Sequence, residues 1–461
     1  MMFQGKIRHI HFVGIGGSGM SGIAEVLLNQ GFIITGSDMK TSKTIERLRS
    51  LGAQINLGHT ASHIDGAHVL VTSTAIPKSN VEVVEAHQRN IPVIPRAQML
   101  AELMRMKYGL AIAGSHGKTT TTSMVAMCLV AGGMDPTTVI GGRLDAFGSS
   151  AKLGHGDYLV AEADESDGSF MLLSPTIAVV TNIDPEHLDH WKTEDNLIQG
   201  FHQFVSKVPF FGCAVLCYDD RRVRSIIPSI QRRIITYGLD SNADVRAIHI
   251  RQEGLETSFI VVHKQESLGR VSISMPGIHN ILNSLAAIAI SLELNIPFAT
   301  IQRGLHQFSG VNRRFTVRSV APKEQHGEDI TLVDDYAHHP TEILATLKAA
   351  RQAWPSRRII GVFQPHRFTR LRDHWSEFST CFDNVDQVVV CPVYTAGEKP
   401  LEGIDGNSIA QAIGDKAVSV TSLEQAHQTI IDQWEGNDVI ITLGAGNVNT
   451  LCSTLGDLLH G

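Results

Sequence analysis

The sequence predicts an α/β protein of three domains: a Rossmann-like amino-terminal domain, a central P-loop domain with a mixed sheet, and a Rossmann-like carboxyl-terminal domain. Three observations predict it. The 461 residues exceed what one hydrophobic core organises. Short apolar strands alternate with helical stretches, the pattern of parallel sheets covered by helices. The strand, turn and helix pattern also restarts twice, which places the domains at residues 1–108, 109–325 and 326–461. Hydrophobic residues at 43% and charged residues at 18% leave no room for long disordered tracts.

In the first domain IRHIHFVGI reads as a strand, Met20 to Gln30 as a helix, GFIITGSD as a second strand and HVLVTST as a later one. Gly14, Gly16, Gly17, Ser18 and Gly19 fit GxGxxG between the first strand and the helix, and Asp38 closes the second strand. Glycines there let the backbone approach a pyrophosphate, and the helix aims its positive end at it. Any nucleotide diphosphate satisfies this. NAD is the default reading of such a fingerprint taken alone, and a mere tight strand-to-helix turn is the plain structural one.

The central domain opens with LAIAGSHGKTTTTSM. Gly114, Ser115, His116, Gly117, Lys118, Thr119 and Thr120 follow an apolar strand and begin a helix, the setting of a phosphate loop. Backbone N–H groups cradle phosphate oxygens, Lys118 neutralises the transferred group and Thr119 is placed to ligate Mg²⁺. The loop is GxxGKT, shorter than the usual string, because Ile112 stands where a first glycine would. The reading is an ATP site. Glu162, Asp164, Glu165 and Asp167 end the next strand, and His187 follows the one after it. Hard cations prefer such oxygens, and an imidazole completes a Mg²⁺ or Mn²⁺ shell. Zinc through His187 and His190 lacks cysteines or a third nearby histidine. A β-rich stretch over 244–274 and a helix from His279 to about Leu294 follow.

The third domain carries four strands, in DITLVDDYAHHP, RRIIGVFQPHR, VDQVVVCPVY and NDVIITLGAGN. Tyr336 and His338 end the first of these, His366, Arg367 and Arg370 the second. Arg367 and Arg370, three apart at a helix start, suit a carboxylate or phosphate.

The net charge of −7 argues against a general nucleic-acid binder. The six cysteines show no CxxC spacing and read as reduced thiols. No cleavable signal and no apolar run of membrane-spanning length is visible, so a cytoplasmic protein without membrane insertion is expected.

The strings GIGGSGMSGIAEVL, GSHGKTTTTSM, AEADESDGSF, TNIDPEHLDHW, PGIHNILNSLAAIA, GVNRRF, DDYAHHPTEI, QPHRFTRLRDHW and YTAGEKP together resemble the Mur ligases of peptidoglycan synthesis, most nearly their alanine-adding members, from about Ile7 to Gly446. The resemblance implies UDP-binding, ATPase and amino-acid-binding domains that close over UDP-N-acetylmuramate, ATP and L-alanine, and it leaves room for a homodimer. It reassigns the first glycine loop from NAD to the UDP diphosphate, with Asp38 near the uridine. It assigns Lys118 and Thr119 to ATP and Mg²⁺, Glu162 and His187 to the metal, Asn280 and Asn283 to the adenine side, and Arg314 to phosphate. Tyr336, His338, His366, Arg367 and Arg370 would hold L-alanine and the reacting carboxylate, with Lys118, Arg314 and His338 as the catalytic groups. Other Mur ligases carry a carbamylated lysine at the metal site. Phe204 stands near that position here, and carbamylation of Lys207 is not expected.

Two rival classes remain. An NAD-dependent dehydrogenase leaves the second phosphate loop idle. A nucleotide switch or motor does not use the YAHHP and PHRFTR strings. Inside the family, a ligase recycling a preformed peptide typically carries a cysteine in its first loop, where this chain has Gly16-Gly17-Ser18-Gly19-Met20.

Overall fold

The computed structural model describes residues 7–73, 75–144, 149–320, 330–435 and 437–460. They build three sheets. Strands β1 (His9–Val13), β2 (Ile33–Asp38), β3 (Gln54–Leu57), β4 (Val69–Thr72) and β5 (Val93–Pro95) form the first, in the order β3-β2-β1-β4-β5, with every neighbouring pair parallel. Both faces of β1 are buried: Ile10 and Phe12 join one apolar cluster and Val13 another. A parallel strand buried on both faces is what helices on either side of a sheet produce. The helix expected from Met20 runs over Ser18–Asn29.

The second sheet has ten strands in the order β15-β14-β13-β12-β11-β10-β6-β9-β7-β8. Here β6 is Tyr108–Ala113, β7 Thr137–Leu144, β8 Ser149–Lys152, β9 Tyr158–Glu162 and β10 Ile177–Val180. The remaining strands are β11 (Cys213–Cys217), β12 (Ile234–Gly238), β13 (Val245–Glu253), β14 (Glu256–His263) and β15 (Glu266–Ile273). It is mixed, since β7 and β8 are antiparallel while β6, β9, β10, β11 and β12 pair in parallel. The last three strands are the β-rich stretch read over 244–274. The helix expected from His279 spans Ile278–Glu293.

The third sheet has the order β16-β17-β21-β18-β19-β20, with β16 (Thr316–Val320) antiparallel at one edge and β17 (Thr331–Asp335), β18 (Ile359–Phe363), β19 (Gln387–Val390), β20 (Ala417–Ser419) and β21 (Val439–Leu443) parallel. Alternation along these strands divides their side chains between two cores: Val333, Ile359 and Ile441 face one, and Leu332, Ile360 and Ile440 the other.

By compactness the chain falls into two units. One comprises residues 1–249, 260–271 and 282–309, and the other 250–259, 272–281 and 310–461. The first two sheets share one continuous apolar cluster, in which Ile10 and Phe12 stand with Ala111 and Ala161. The boundary expected near residue 325 lies outside the described residues. All six cysteines are buried and free. Among the described residues no helix is long and apolar enough to cross a membrane.

Candidate active site

Sheet order decides which loops meet. In the second sheet β6 lies between β10 and β9, so the carboxyl ends of these three parallel strands stand side by side. They carry, in turn, the Gly114–Thr120 loop, the segment Thr181–His187 and the acids after Glu162.

The phosphate loop is shaped by two glycines that a side chain would disrupt. Gly114 has φ +135°, and a Cβ there would strike Thr181 Oγ1 at 2.0 Å. Gly117 has φ +81°, and a Cβ there would meet Asn283 Oδ1 at 2.6 Å. The loop is tied to the β10 end: His116 N–H donates to Asn182 Oδ1 at 2.8 Å, Asp184 N–H to Ser115 Oγ at 2.8 Å, and His116 Nε2 lies 2.9 Å from Asp184 Oδ2. The helix Lys118–Ala131 is buried almost all round, which explains its threonines. Thr122 and Ser123 return their hydroxyls to the carbonyls of Lys118 and Thr119 at 2.8 Å, and Thr121 donates to Asn283 Oδ1 at 3.0 Å. Thr119 and Thr120 are buried at its start.

Lys118 points back over the loop. Its ammonium donates to Gly114 O at 2.6 Å, Ser115 O at 3.1 Å, and Glu165 at 2.7 and 2.9 Å. Burial pushes the Glu165 carboxyl upward, Lys118 opposes this and Asp164 adds to it. Burial alone would lower Lys118, but the carboxylates, Glu165 foremost, raise it. The proton therefore stays on Lys118.

Glu165, Glu186 and His187 bring their donor atoms within 4.8 Å of one another. The carboxylate that meets Lys118 and His187 is Glu165, which is 1% exposed. Glu162 is the last residue of β9, level with Ile112. Beyond it the chain turns, with Phe170 N–H on Asp164 O, Gly168 N–H on Glu165 O and Trp191 Nε1 on Glu165 O at 2.9 Å, and this tucks Glu165 beside the loop. The quoted acids contained Glu165, but spacing alone does not say which of them faces inward. Glu186 carried no sequence signal that singled it out. Phe204 is wholly buried and stacked on Phe170 at 5.0 Å, while Lys207, at the carboxyl end of the same helix, donates its ammonium to Met171 O.

In the first sheet Gly14 has φ +76°, and its N–H and that of Ile15 donate to Ser37 O at 2.8 and 3.1 Å. Gly16 N–H donates to Asp38 Oδ2 at 2.9 Å, so Asp38 clamps the loop itself. Gly17 precedes the helix, and Gly19 faces Arg96. The side chain of Ser18 lies outside the described residues.

In the third sheet β17, β21, β18 and β19 are neighbours, and the loops after them gather the predicted residues. The Arg313 and Arg314 guanidiniums each lie 5.1 Å from the Tyr336 ring. Tyr336, His338, His366 and Tyr394 form a run of rings, with centroids 5.2, 5.7 and 5.5 Å apart. Glu342, unforeseen from sequence, joins two of the predicted groups: its carboxylate lies 3.2 Å from His338 Nδ1 and 3.7 Å from Arg314. It sits one helical turn past His338 in DDYAHHPTEI, which was its only sequence signal. Arg370 lies 3.3 Å from His366 Nδ1, and Arg367 adopts φ +69° with its N–H on Tyr394 O. Burial first, then His338, Arg370 and Arg367, pushes His366 down to about 3. Asn280 is buried and donates to Pro276 O at 2.8 Å, a partner distinct from Asn283's.

Three family models match the chain in order: "Mur ligase family, catalytic domain" over 9–108, "Mur ligase middle domain" over 112–291 and "Mur ligase, glutamate ligase domain" over 313–446. The chain belongs to the Mur ligase family. Relatives include the UDP-N-acetylmuramate–L-alanine ligases of Geobacter sulfurreducens, 55% identical over 96% of both chains, and of Sulfurihydrogenibium sp., 50% identical over 99% of both. The crystal structure of the UDP-N-acetylmuramate-alanine ligase of Thermotoga maritima superposes with TM-score 0.83 at 27% identity, covering 98% of this chain and 99% of that one. A murein peptide ligase of Psychrobacter arcticus shares the fold, with TM-score 0.71 and 24% identity over 98% of both.

Proposed function

We propose that this chain catalyses the ATP-dependent joining of L-alanine to the carboxylate of UDP-N-acetylmuramate, giving UDP-N-acetylmuramoyl-L-alanine, ADP and phosphate, in the cytoplasmic synthesis of peptidoglycan precursors. The observation that carries it is full-length likeness, at 50–55% identity, to ligases of that name, over a chain whose phosphate loop is intact. A free carboxylate resists amine attack because oxide is a poor leaving group. Transfer of the γ-phosphoryl group of ATP to that carboxylate gives an acyl phosphate, which the uncharged amine attacks with loss of phosphate.

The labour divides at about residues 108 and 325. The loop Gly14–Gly19 binds the diphosphate of the sugar nucleotide, with Asp38 setting the loop's shape. The loop Gly114–Thr120 binds ATP, with Asn280 and Asn283 on its adenine side. Lys118, already fixed on loop carbonyls, follows the negative charge of the phosphates, and Arg314 balances charge on the transferred group. Tyr336, His338, His366, Arg367 and Arg370 hold alanine and the reacting carboxylate.

A divalent cation fits the chain's donors: two nearly buried carboxylates and an imidazole converge, a set of hard ligands whose negative charge Lys118 alone does not balance. Glu165, Glu186 and His187, with Thr119, would hold Mg²⁺ or Mn²⁺. Such an ion, when bound, offsets charge on the phosphate oxygens.

Alanine arrives as an ammonium and must lose a proton. His338 Nδ1 faces two acceptors, Tyr336 O at 3.1 Å and Glu342 Oε2 at 3.2 Å, so in the neutral tautomer this geometry favours, Nδ1 carries the hydrogen and Nε2 is the acceptor. We take His338 as the candidate proton acceptor, a role this geometry supports; unchanged turnover in His338→Ala would remove it from that role. The deciding experiment for the whole reading is phosphate release from ATP with each substrate alone and together. Release requires UDP-N-acetylmuramate and L-alanine jointly, and hydride transfer, bare ATP hydrolysis or a preference for a preformed peptide would overturn it.

A further inference from the structure

The amino-terminal sheet buries a carboxylate that the reaction above does not use. Glu82 lies in the first turn of the helix Val81–Gln88, and its side chain is wholly inaccessible. A buried carboxylate persists only when its lone pairs are taken up. Ser37 Oγ donates to Oε2 at 2.5 Å, His63 Nδ1 lies 2.8 Å from Oε1, Thr60 N–H donates to Oε1 at 3.3 Å and His59 Nδ1 lies 3.3 Å from Oε2. His11 Nε2 stands 3.6 Å away, itself fully buried. A carboxylate only accepts, so the His63 nitrogen that meets it carries a proton, and a direct N–H···O bond occupies the lone pair a metal would need. Burial opposes the charge, but His11, Ser37 and His63 hold Glu82 down at about 2, and the helix start favours the anion further.

Ser37 is where this cluster reaches the first glycine loop. Its carbonyl accepts the N–H groups of Gly14 and Ile15, and the next residue, Asp38, accepts that of Gly16. Asp38 O in turn accepts from Gly58 N–H, the residue before His59. Three successive N–H groups of the loop thus hang on Ser37 and Asp38, and the Ser37 hydroxyl is held by Glu82 and, at 3.0 Å, by His59 Nδ1. Ile15 anchors the loop in the apolar core, but the glycines on either side of it have no side chains, so their placement is set by what holds these backbone groups.

We propose that Glu82 is a positioning residue for the sugar nucleotide: through the Ser37 hydroxyl it fixes the backbone that presents the loop Gly14–Gly16 to the diphosphate. The inference rests on the assignment of that loop to the sugar nucleotide. Glu82→Gln and Ser37→Ala are the tests, with folding verified by circular dichroism. Each raises KM for UDP-N-acetylmuramate about ten-fold, a factor equal to about 1.4 kcal/mol, while kcat and KM for ATP stay within about two-fold. Ser37→Ala removes the hydroxyl that Glu82 holds, together with its contact to His59, so adding Glu82→Gln to Ser37→Ala raises this KM no further. A purely structural role would lower the melting temperature and leave that KM unmoved. The control is Gly16→Val, whose Cβ would meet Asp38 Oδ2 at 2.9 Å. If Gly16→Val raises KM and folded Glu82→Gln and Ser37→Ala do not, the positioning role is overturned. If Gly16→Val also leaves KM unchanged, the assignment of the loop itself falls.

Discussion

Gly117→Ala isolates the geometry of the phosphate loop in one methyl group. Gly117 holds φ +81°, where an L-residue costs about 1–2 kcal/mol. The new Cβ would also lie 2.6 Å from Asn283 Oδ1, so Asn283 must move and release the bond it accepts from Thr121 at 3.0 Å, a further ~1 kcal/mol. Together these destabilise the ATP-competent loop by about 2–3 kcal/mol, or roughly 30- to 150-fold in kcat/KM for ATP. The assay is steady-state phosphate release with ATP varied and the other substrates saturating. Gly133→Ala is the matched control: it has φ +73° and nothing within 4 Å of its Cβ, so it carries the backbone strain without the collision and far from the phosphates. It lowers stability but leaves kcat/KM for ATP within about two-fold. A Gly117→Ala enzyme within about two-fold of the parent would refute the argument, as would an equal loss in Gly133→Ala.

Two further outcomes follow from the same site and its neighbour. Glu165→Gln removes a charge from the proposed cation-binding set, so the concentration of Mg²⁺ or Mn²⁺ needed for half-maximal turnover rises at least about ten-fold, and more than in Glu162→Gln; the reverse ranking in a metal titration assigns the metal to Glu162. His366, held down at about 3 by burial and its cationic neighbours, stays neutral in the fold while the unfolded chain takes up a proton below about pH 6.5. Its folded pKa is depressed, so the unfolded state binds more protons and stability falls as pH drops from about 6.5 toward 3. Denaturant midpoints at pH 7.5 and pH 5 therefore lie closer together in His366→Gln than in the parent, and an unchanged gap contradicts the burial of a neutral ring.

The sequence by itself determined much of this protein. Glycines at fixed spacing after apolar strands announce turns of positive φ, and Gly14, Gly114 and Gly117 adopt them. Period and length located the principal strands and placed the helices at Ser18–Asn29 and Ile278–Glu293 to within two residues at either end. Such features are local, because backbone sterics and side-chain alternation act over a few residues. Tertiary structure decided what local rules cannot express. Glu162, Glu165 and Glu186 are all acidic and close to strand ends, and only the turn after β9 and the adjacency of β9, β6 and β10 bring Glu165 and Glu186 to His187. Asp38 reads as a ligand-binding acid in sequence but spends one oxygen on Gly16 N–H. Glu82 stands 45 residues from Ser37 in a helix with no motif of its own, and nothing short of the folded sheet puts its carboxylate on that hydroxyl. A residue's chemical type is written in the chain, whereas the partner that sets its charge state and orientation is chosen by strand order, and strand order is a property of the whole fold.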